Sequence, residues 1–276
     1  MSTTIWLNGE LLAGDRPAIS AADHGLLVGD GVFETAKVID GRAFALRRHL
    51  ERLRRSADGL GLELPRSDDE LTDGVAAVIE ANQPGVGRLR ITVTGGPGPL
   101  GSARGAEGPT VIMATGPPGT WPPAAEVVVV PWPRNERSPL AGLKTTSYAE
   151  NVVALAHAHE QGAGEAILAN LAGDLCEGTG SNVFVGLDGR LITPPLSSGC
   201  LAGITRDLVL ETTDAIEADV SMADFARADE AFLTSSTRDL QPVTRVDERA
   251  LPTCPGPLTH AAVDAFARLV EKTSDP

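Results

Sequence analysis

The stretch Val32–Leu60, VFETAKVIDGRAFALRRHLERLRRSADGL, changes its hydrophobic period midway. From Val32 to Ile39 the residues alternate, which places Phe33, Thr35 and Lys37 on one face of a strand and Glu34, Ala36 and Val38 on the other. Asp40-Gly41 tolerates positive φ and turns that strand back as a hairpin. Beyond it, Leu46, Leu50, Leu53, Ala57 and Leu60 recur at helical spacing along one face. A ribbon that feeds an amphipathic helix points to an α+β fold. The dipeptides Asn8-Gly9 and Asp188-Gly189 repeat the hairpin signal, one in each half of the chain.

Working outward, Ser67-Asp68-Asp69-Glu70 is a capping box that opens a helix burying Leu71, Val75, Val78 and Ile79 and ending near Pro84-Gly85. Arg88 to Thr94 and Val111 to Ala114 are expected strands, separated by the glycine- and proline-rich stretch 95–109, a functional or a mobile loop. The run from Gly116 to Pro123, GPPGTWPP, marks an interdomain linker, so the expected partition is an N-terminal domain at 1–115, a linker at 116–123 and a C-terminal domain at 124–276. In the second domain, strands are expected at 126–131, 166–170, 183–186 and 231–233. Helices are expected from Ser147, with Ser147-Tyr148-Ala149-Glu150 as its capping box, from about Ile204, and along Leu258, Ala262, Phe266 and Leu269.

With 276 residues, 42% apolar and 22% charged, the chain can build sizeable cores. A formal charge of −14 repels phosphate backbones and anionic headgroups, so neither nucleic acid nor membrane is an expected partner. The N-terminus lacks a basic start followed by a long apolar run, and a cytoplasmic location is expected. Cys176, Cys200 and Cys254 lack disulfide or zinc spacing, and the five histidines form no metal motif, so no metal is expected.

Lysine is scarce: only Lys37, Lys144 and Lys272 stand beside twenty arginines. Lys272 lies in a polar tail and Lys37 on a hairpin strand. Lys144 sits at the junction between an extended segment and the helix expected from Ser147, where packed elements can aim a side chain into a cleft. Composition alone leaves a solvated surface charge as the competing reading. Three further segments suit an anion or a plain turn: Cys176 to Asn182, the helix start at Gly203-Ile204-Thr205, and Ser235-Ser236-Thr237.

In order along the chain, Leu7-Asn8-Gly9-Glu10, Gly29-Asp30-Gly31-Val32-Phe33-Glu34-Thr35, His49-Leu50-Glu51-Arg52-Leu53, Leu143-Lys144, Glu177-Gly178-Thr179-Gly180-Ser181-Asn182-Val183-Phe184 and Gly203-Ile204-Thr205-Arg206 resemble the class IV aminotransferases. The likeness runs from about Trp6 to Val246. It implies the two-domain fold type IV of the D-amino-acid aminotransferase kind, a homodimer, and pyridoxal 5'-phosphate held between the domains. By the same resemblance Lys144 carries the cofactor and serves as general base and acid, and Glu177 pairs with the pyridine nitrogen. Arg52, the backbone at Ile204 and Thr205, and the hydroxyls of Ser236 and Thr237 take the phosphate. Tyr148, four residues after the lysine where branched-chain enzymes have five, matches the tyrosine on the cofactor's phenolic oxygen.

Gly29-Asp30-Gly31 resembles the D-amino-acid transaminase and aminodeoxychorismate lyase branch. Glu34, where the best-known lyases carry threonine, favours amino transfer between a D-amino acid and an α-keto acid. Release of pyruvate and 4-aminobenzoate from aminodeoxychorismate ranks second, and branched-chain L-amino-acid transamination third. Phe33 replaces the tyrosine of the usual D-amino-acid enzymes, and Thr94-Gly95-Gly96-Pro97 lacks their Arg-x-His pair. Arg90, and after it Arg88, is therefore the expected cation for the substrate carboxylate.

Overall fold

The computed structural model describes residues 3–16 and 19–276. They form two compact units. The first comprises the chain up to Gly119 together with Leu143–Tyr148 and Ser274–Pro276, and the second comprises Thr120–Gly142 and Ala149–Thr273. The expected partition at 116–123 differs from this in two segments, because Leu143–Tyr148 and the C-terminal tail bond to the first unit.

In the first unit, β1 (Thr4–Leu7), β2 (Glu10–Ala13), β3 (Gly31–Ile39), β4 (Arg42–Ala43), β5 (Arg88–Thr94) and β6 (Thr110–Gly116) form an antiparallel sheet in the order β2-β1-β6-β5-β3-β4. Asn8-Gly9 and Asp40-Gly41 take positive φ at both positions, as two-residue hairpin turns require. After the short α1 (His24–Leu27) come α2 (Leu46–Gly59) and α3 (Asp68–Ala81), and α3 is opened by the expected Ser67/Glu70 box. Both pack on the face bearing Val32, Ala36, Val38, Leu89, Ile91 and Val93, with Leu50, Leu53, Leu71 and Val78 at 3% exposure or less. Each such side chain contributes about 1.5–3 kcal/mol by leaving water. Phe33, Thr35, Arg88, Arg90 and Thr92 lie on the opposite face by alternation, with Thr35 in register with Arg90 and Lys37 with Arg88. The loop 95–109 is tied down at both ends. Asp23 accepts hydrogen bonds from Thr94 and Thr110 hydroxyls at 2.9 Å each, and Arg104 makes two 2.7 Å bonds to Asp30.

The second unit is a mixed sheet of β7 (Ala125–Val129), β8 (Glu165–Ala169), β9 (Leu175–Gly178), β10 (Asn182–Leu187), β11 (Arg190–Thr193), β12 (Ile216–Glu217), β13 (Glu230–Ser235), β14 (Asp239–Val246) and β15 (Arg249–Ala250). Its order is β12-β11-β10-β13-β14-β7-β8-β9, with β15 on β14. Four helices accompany it: α4 (Ala149–Glu160), α5 (Ile204–Thr212), α6 (Met222–Ala226) and α7 (Pro257–Lys272). β10 is buried along its whole length. The expected capping box at Ser147 is not what opens α4. The helix begins at Ala149, and the Ser147 hydroxyl instead donates to the Gly29 carbonyl at 3.0 Å. Among the described residues no helix is long and apolar enough to cross a membrane.

Candidate active site

Lys144 belongs to the first unit because Leu143–Thr146 runs antiparallel to the start of β3. The Phe33 amide donates to the Lys144 carbonyl at 3.0 Å, the Thr146 amide to Gly31 at 2.8 Å, and Val32 bridges Thr145. From the other side, the Lys144 amide donates to Ser56 Oγ of α2 at 3.1 Å. Leu143 lies so close to Gly59 that a Cβ there would come within 2.7 Å of it, so the helix keeps a glycine at that point. Strand and helix together fix the lysine backbone. Its Nζ lies 4.6 Å from the centre of the Phe33 ring, and the Arg90 guanidinium carbon, from β5, lies 3.8 Å from the same centre. Tyr148 meets that ring edge-on, with centroids 5.3 Å apart. Burial pulls the Arg90 pKa down and Tyr148 opposes the shift, but a guanidinium remains charged. Lys144, Phe33, Arg90 and Tyr148 are thus brought together. Arg88 is not, because it turns to the Pro117 carbonyl at 2.8 Å.

Arg52 is brought to a different partner. On the helix-facing side of β3, Glu34 is 1% exposed and Arg52 4%. Arg52 Nε and Nη2 donate to the two Glu34 oxygens at 2.8 and 2.7 Å, and His49 Nδ1 stands 2.6 Å from Oε2. Burial disfavours the Glu34 anion, yet Arg52 and His49 outweigh it and hold the carboxyl well below its ordinary range. Burial likewise pushes His49 down, helped by Arg52 and Lys144 and opposed by Glu34, so His49 is neutral and donates through Nδ1–H. Glu34 therefore serves Arg52 and faces away from Phe33.

In the second unit, Glu177 on β9 accepts from the Leu201 amide at 2.9 Å and pairs with Arg134 Nε at 3.1 Å. Arg134 also donates to Asn151 at 3.0 Å. Helix α5 starts at Gly203 with no side-chain cap, and Ile204 and Thr205 are 5% and 4% exposed. First-turn amides lack intrahelical acceptors, so this end has donors suited to an anion. Gly203 is required there because a Cβ would sit 1.9 Å from Asn182 Oδ1. Ser236 and Thr237 lie in the turn from β13 to β14. Trp121, near the start of the second unit, donates through Nε1 to the Thr237 carbonyl at 3.0 Å.

The model of the amino-transferase class IV family matches residues 31–246, and the chain belongs to that family. It is 34% identical over 261 residues to a Methanocaldococcus jannaschii protein provisionally named a branched-chain-amino-acid aminotransferase, covering 90% of this chain and 89% of the other. It is 32% identical over 263 residues to the D-alanine aminotransferase of Bacillus licheniformis, covering 92% and 93%. The solved 4-amino-4-deoxychorismate lyase of Pseudomonas aeruginosa superposes with a TM-score of 0.83 at 31% identity, covering 96% of this chain and 98% of that one. The fold is that of the fold type IV enzymes, and members of the class depend on pyridoxal phosphate. The residues present fit that group: an uncapped helix start beside a required glycine, a carboxylate held by an amide and an arginine, and a lysine whose backbone is fixed from two sides.

Sequence reasoning missed Arg134, Trp121, Glu165 and Arg238 around these groups. Glu165 alone gave a signal, as a charge at the head of the apolar strand Ala166-Ile167-Leu168.

Proposed function

We propose that the protein is a transaminase that moves an amino group between an amino acid, the D enantiomer preferred, and an α-keto acid. The observation that carries this is the Phe33 ring with the Lys144 amine at 4.6 Å and the Arg90 guanidinium at 3.8 Å. An amine for the cofactor and a cation for a carboxylate then stand at one apolar plate. When bound, pyridoxal phosphate supplies the carbonyl that takes up the amino group and draws electrons from the substrate Cα. In this reading Lys144 holds the cofactor and, once released, moves a proton at Cα through Nζ. Tyr148 directs its hydroxyl to the phenolic oxygen, and Glu177, oriented by Leu201 and Arg134, receives the pyridine N–H. The α5 amides at Ile204 and Thr205, the Ser236 and Thr237 hydroxyls, and Arg52 as set by Glu34, take the phosphate. Arg90 receives the substrate carboxylate, and Arg88 ranks behind it because of its bond to Pro117.

Likeness to the D-alanine enzyme and the Gly29-Asp30-Gly31 segment support the D preference. Likeness to the Pseudomonas lyase keeps release of 4-aminobenzoate as the second reading. The family resemblance also implies a homodimer, which sedimentation velocity would test. Borohydride reduction of the cofactor-loaded protein and peptide mapping should put the pyridoxyl group on Lys144, and finding it on Lys37 or Lys272 would refute the assignment. Separate incubation with D-alanine, L-leucine and aminodeoxychorismate then ranks the activities. Rapid aminobenzoate release with a negligible D-alanine half-reaction would replace the first reading with the second.

A further inference from the structure

Glu165 opens β8 and is 1% exposed, yet its carboxylate meets polar groups from two distant segments. Oε1 accepts from the Thr179 amide at 3.1 Å and from the Thr179 hydroxyl. Oε2 accepts from Ser181 Oγ at 3.0 Å and from Arg238 Nη2 at 3.1 Å. Thr179 and Ser181 form the turn that directly follows Glu177-Gly178, while Arg238 directly follows Ser236-Thr237. The Arg238 guanidinium carbon lies 4.2 Å from the Trp121 ring centre, the same tryptophan that holds the Thr237 carbonyl. One buried carboxylate therefore ties the turn beside Glu177 to the turn bearing two hydroxyls. Removing an ion pair from water is expensive, and filling this space would not require one. What the charge adds is direction: both oxygens are fully engaged, and the two turns are set relative to each other before any ligand arrives.

We propose that Glu165 is a positioning residue for the cofactor: through Arg238 it presents the Ser236 and Thr237 hydroxyls to the phosphate, and through Thr179 and Ser181 it steadies the strand end that carries Glu177. The inference rests on the roles proposed above for Ser236, Thr237 and Glu177. Glu165→Gln keeps an oxygen for Thr179 and turns an amide N–H toward both Ser181, whose hydroxyl can rotate to accept it, and Arg238, which cannot, so it cuts the phosphate arm selectively.

Binding to the cofactor-free protein, followed by absorbance, distinguishes the cases with two probes, pyridoxal 5'-phosphate and pyridoxal, which lacks the phosphate. In Glu165→Gln, affinity for the phosphorylated probe should fall about tenfold while that for pyridoxal changes by no more than about twofold. The double variant Glu165→Gln/Arg238→Met leaves no arginine charge buried without its partner, so it serves as the second test independent of any folding defect in the single variant, and it should show the same selective loss. Equal loss of both probes would mean general loosening and would overturn the inference, as would a folded double variant with unchanged preference. Thr237→Ala serves as the reference. If it weakens only the phosphorylated probe while the Glu165 variants do not, positioning fails and the phosphate assignment stands. If it has no effect either, that assignment fails and takes the inference with it.

Discussion

Arg52 shows how far a residue can be read from its motif. The resemblance carried by His49-Leu50-Glu51-Arg52-Leu53 implied a role for the arginine at a phosphate, but nothing in the motif revealed that Glu34, fifteen residues before His49, closes around both side chains. Alternation did place Glu34 on the face that meets α2, and a carboxylate so placed needs a cation. Arg52→Met would strand that carboxylate in the core, at a cost of about 3–5 kcal/mol. Adding Glu34→Gln removes the stranded charge, so the double variant should be more stable than the single Arg52→Met by about 1–3 kcal/mol in urea unfolding of the cofactor-free protein. Strict additivity would show that the pair is not coupled. Lys144 was singled out for a different reason: only three lysines stand in the chain, and the resemblance falls on this one. Its neighbours Phe33 and Arg90 were named from departures from the resembling enzymes, the first in place of a tyrosine and the second for a missing cation pair, whereas Arg134 and Arg238 bond across long sequence separations that no local pattern records.

Among the elements, the legible ones carry their instructions locally. The three hairpins rest on Asn-Gly or Asp-Gly turns with positive φ, and α2, α3 and α7 on unbroken helical periodicity. β14 was missed because Pro242 and a register shift between Val243 and Arg245 interrupt its alternation, and its pairing with β13 and β7 sustains it instead. The start of α7 is equally non-local. Gly256 offers no capping side chain, and the buried Glu230 of β13 accepts from the Leu258 amide at 3.1 Å and from the Thr259 amide and hydroxyl at 2.7 Å each. A carboxylate at a helix N-terminus also gains from the dipole. Glu230→Ala should therefore cost about 1–3 kcal/mol, since the buried Thr259 amide and the half-buried Leu258 amide lose their acceptor. Hydrogen exchange should quicken in the first turn of α7 before the rest of the helix. Unchanged protection at Leu258 and Thr259 would show that the cap contributes nothing.

For the whole molecule, the composition break at 116–123 was visible, but the return of Leu143–Tyr148 to the first unit was not, because that segment is held by β3 and α2, which precede it by many residues. The charge raises a competition that the structure resolves. At −14 the protein repels itself, so acidification toward its pI near 4.7 would be expected to stabilise it if net charge governed. Two buried groups act the other way. His49, held below its ordinary 6.5, stays neutral in the fold but takes a proton in the unfolded chain as pH drops through that value. Glu34, held below its ordinary 4.5, stays ionised in the fold and takes its proton in the unfolded chain at more acid pH. In both cases the unfolded chain binds more protons, so each contributes stability that is present above its unfolded pKa and lost as pH falls toward the folded one. Surface repulsion is screened within about 8 Å at 0.15 M salt, whereas the buried groups are shielded much less, so the local effects win there. Denaturant unfolding of the cofactor-free protein in 0.15 M salt should give a free energy that declines from pH 7 to pH 5, and His49→Gln should flatten that decline. A wild-type stability that rises steadily toward pH 4.7 would mean that His49 is not held neutral beside Glu34 and that surface charge governs instead.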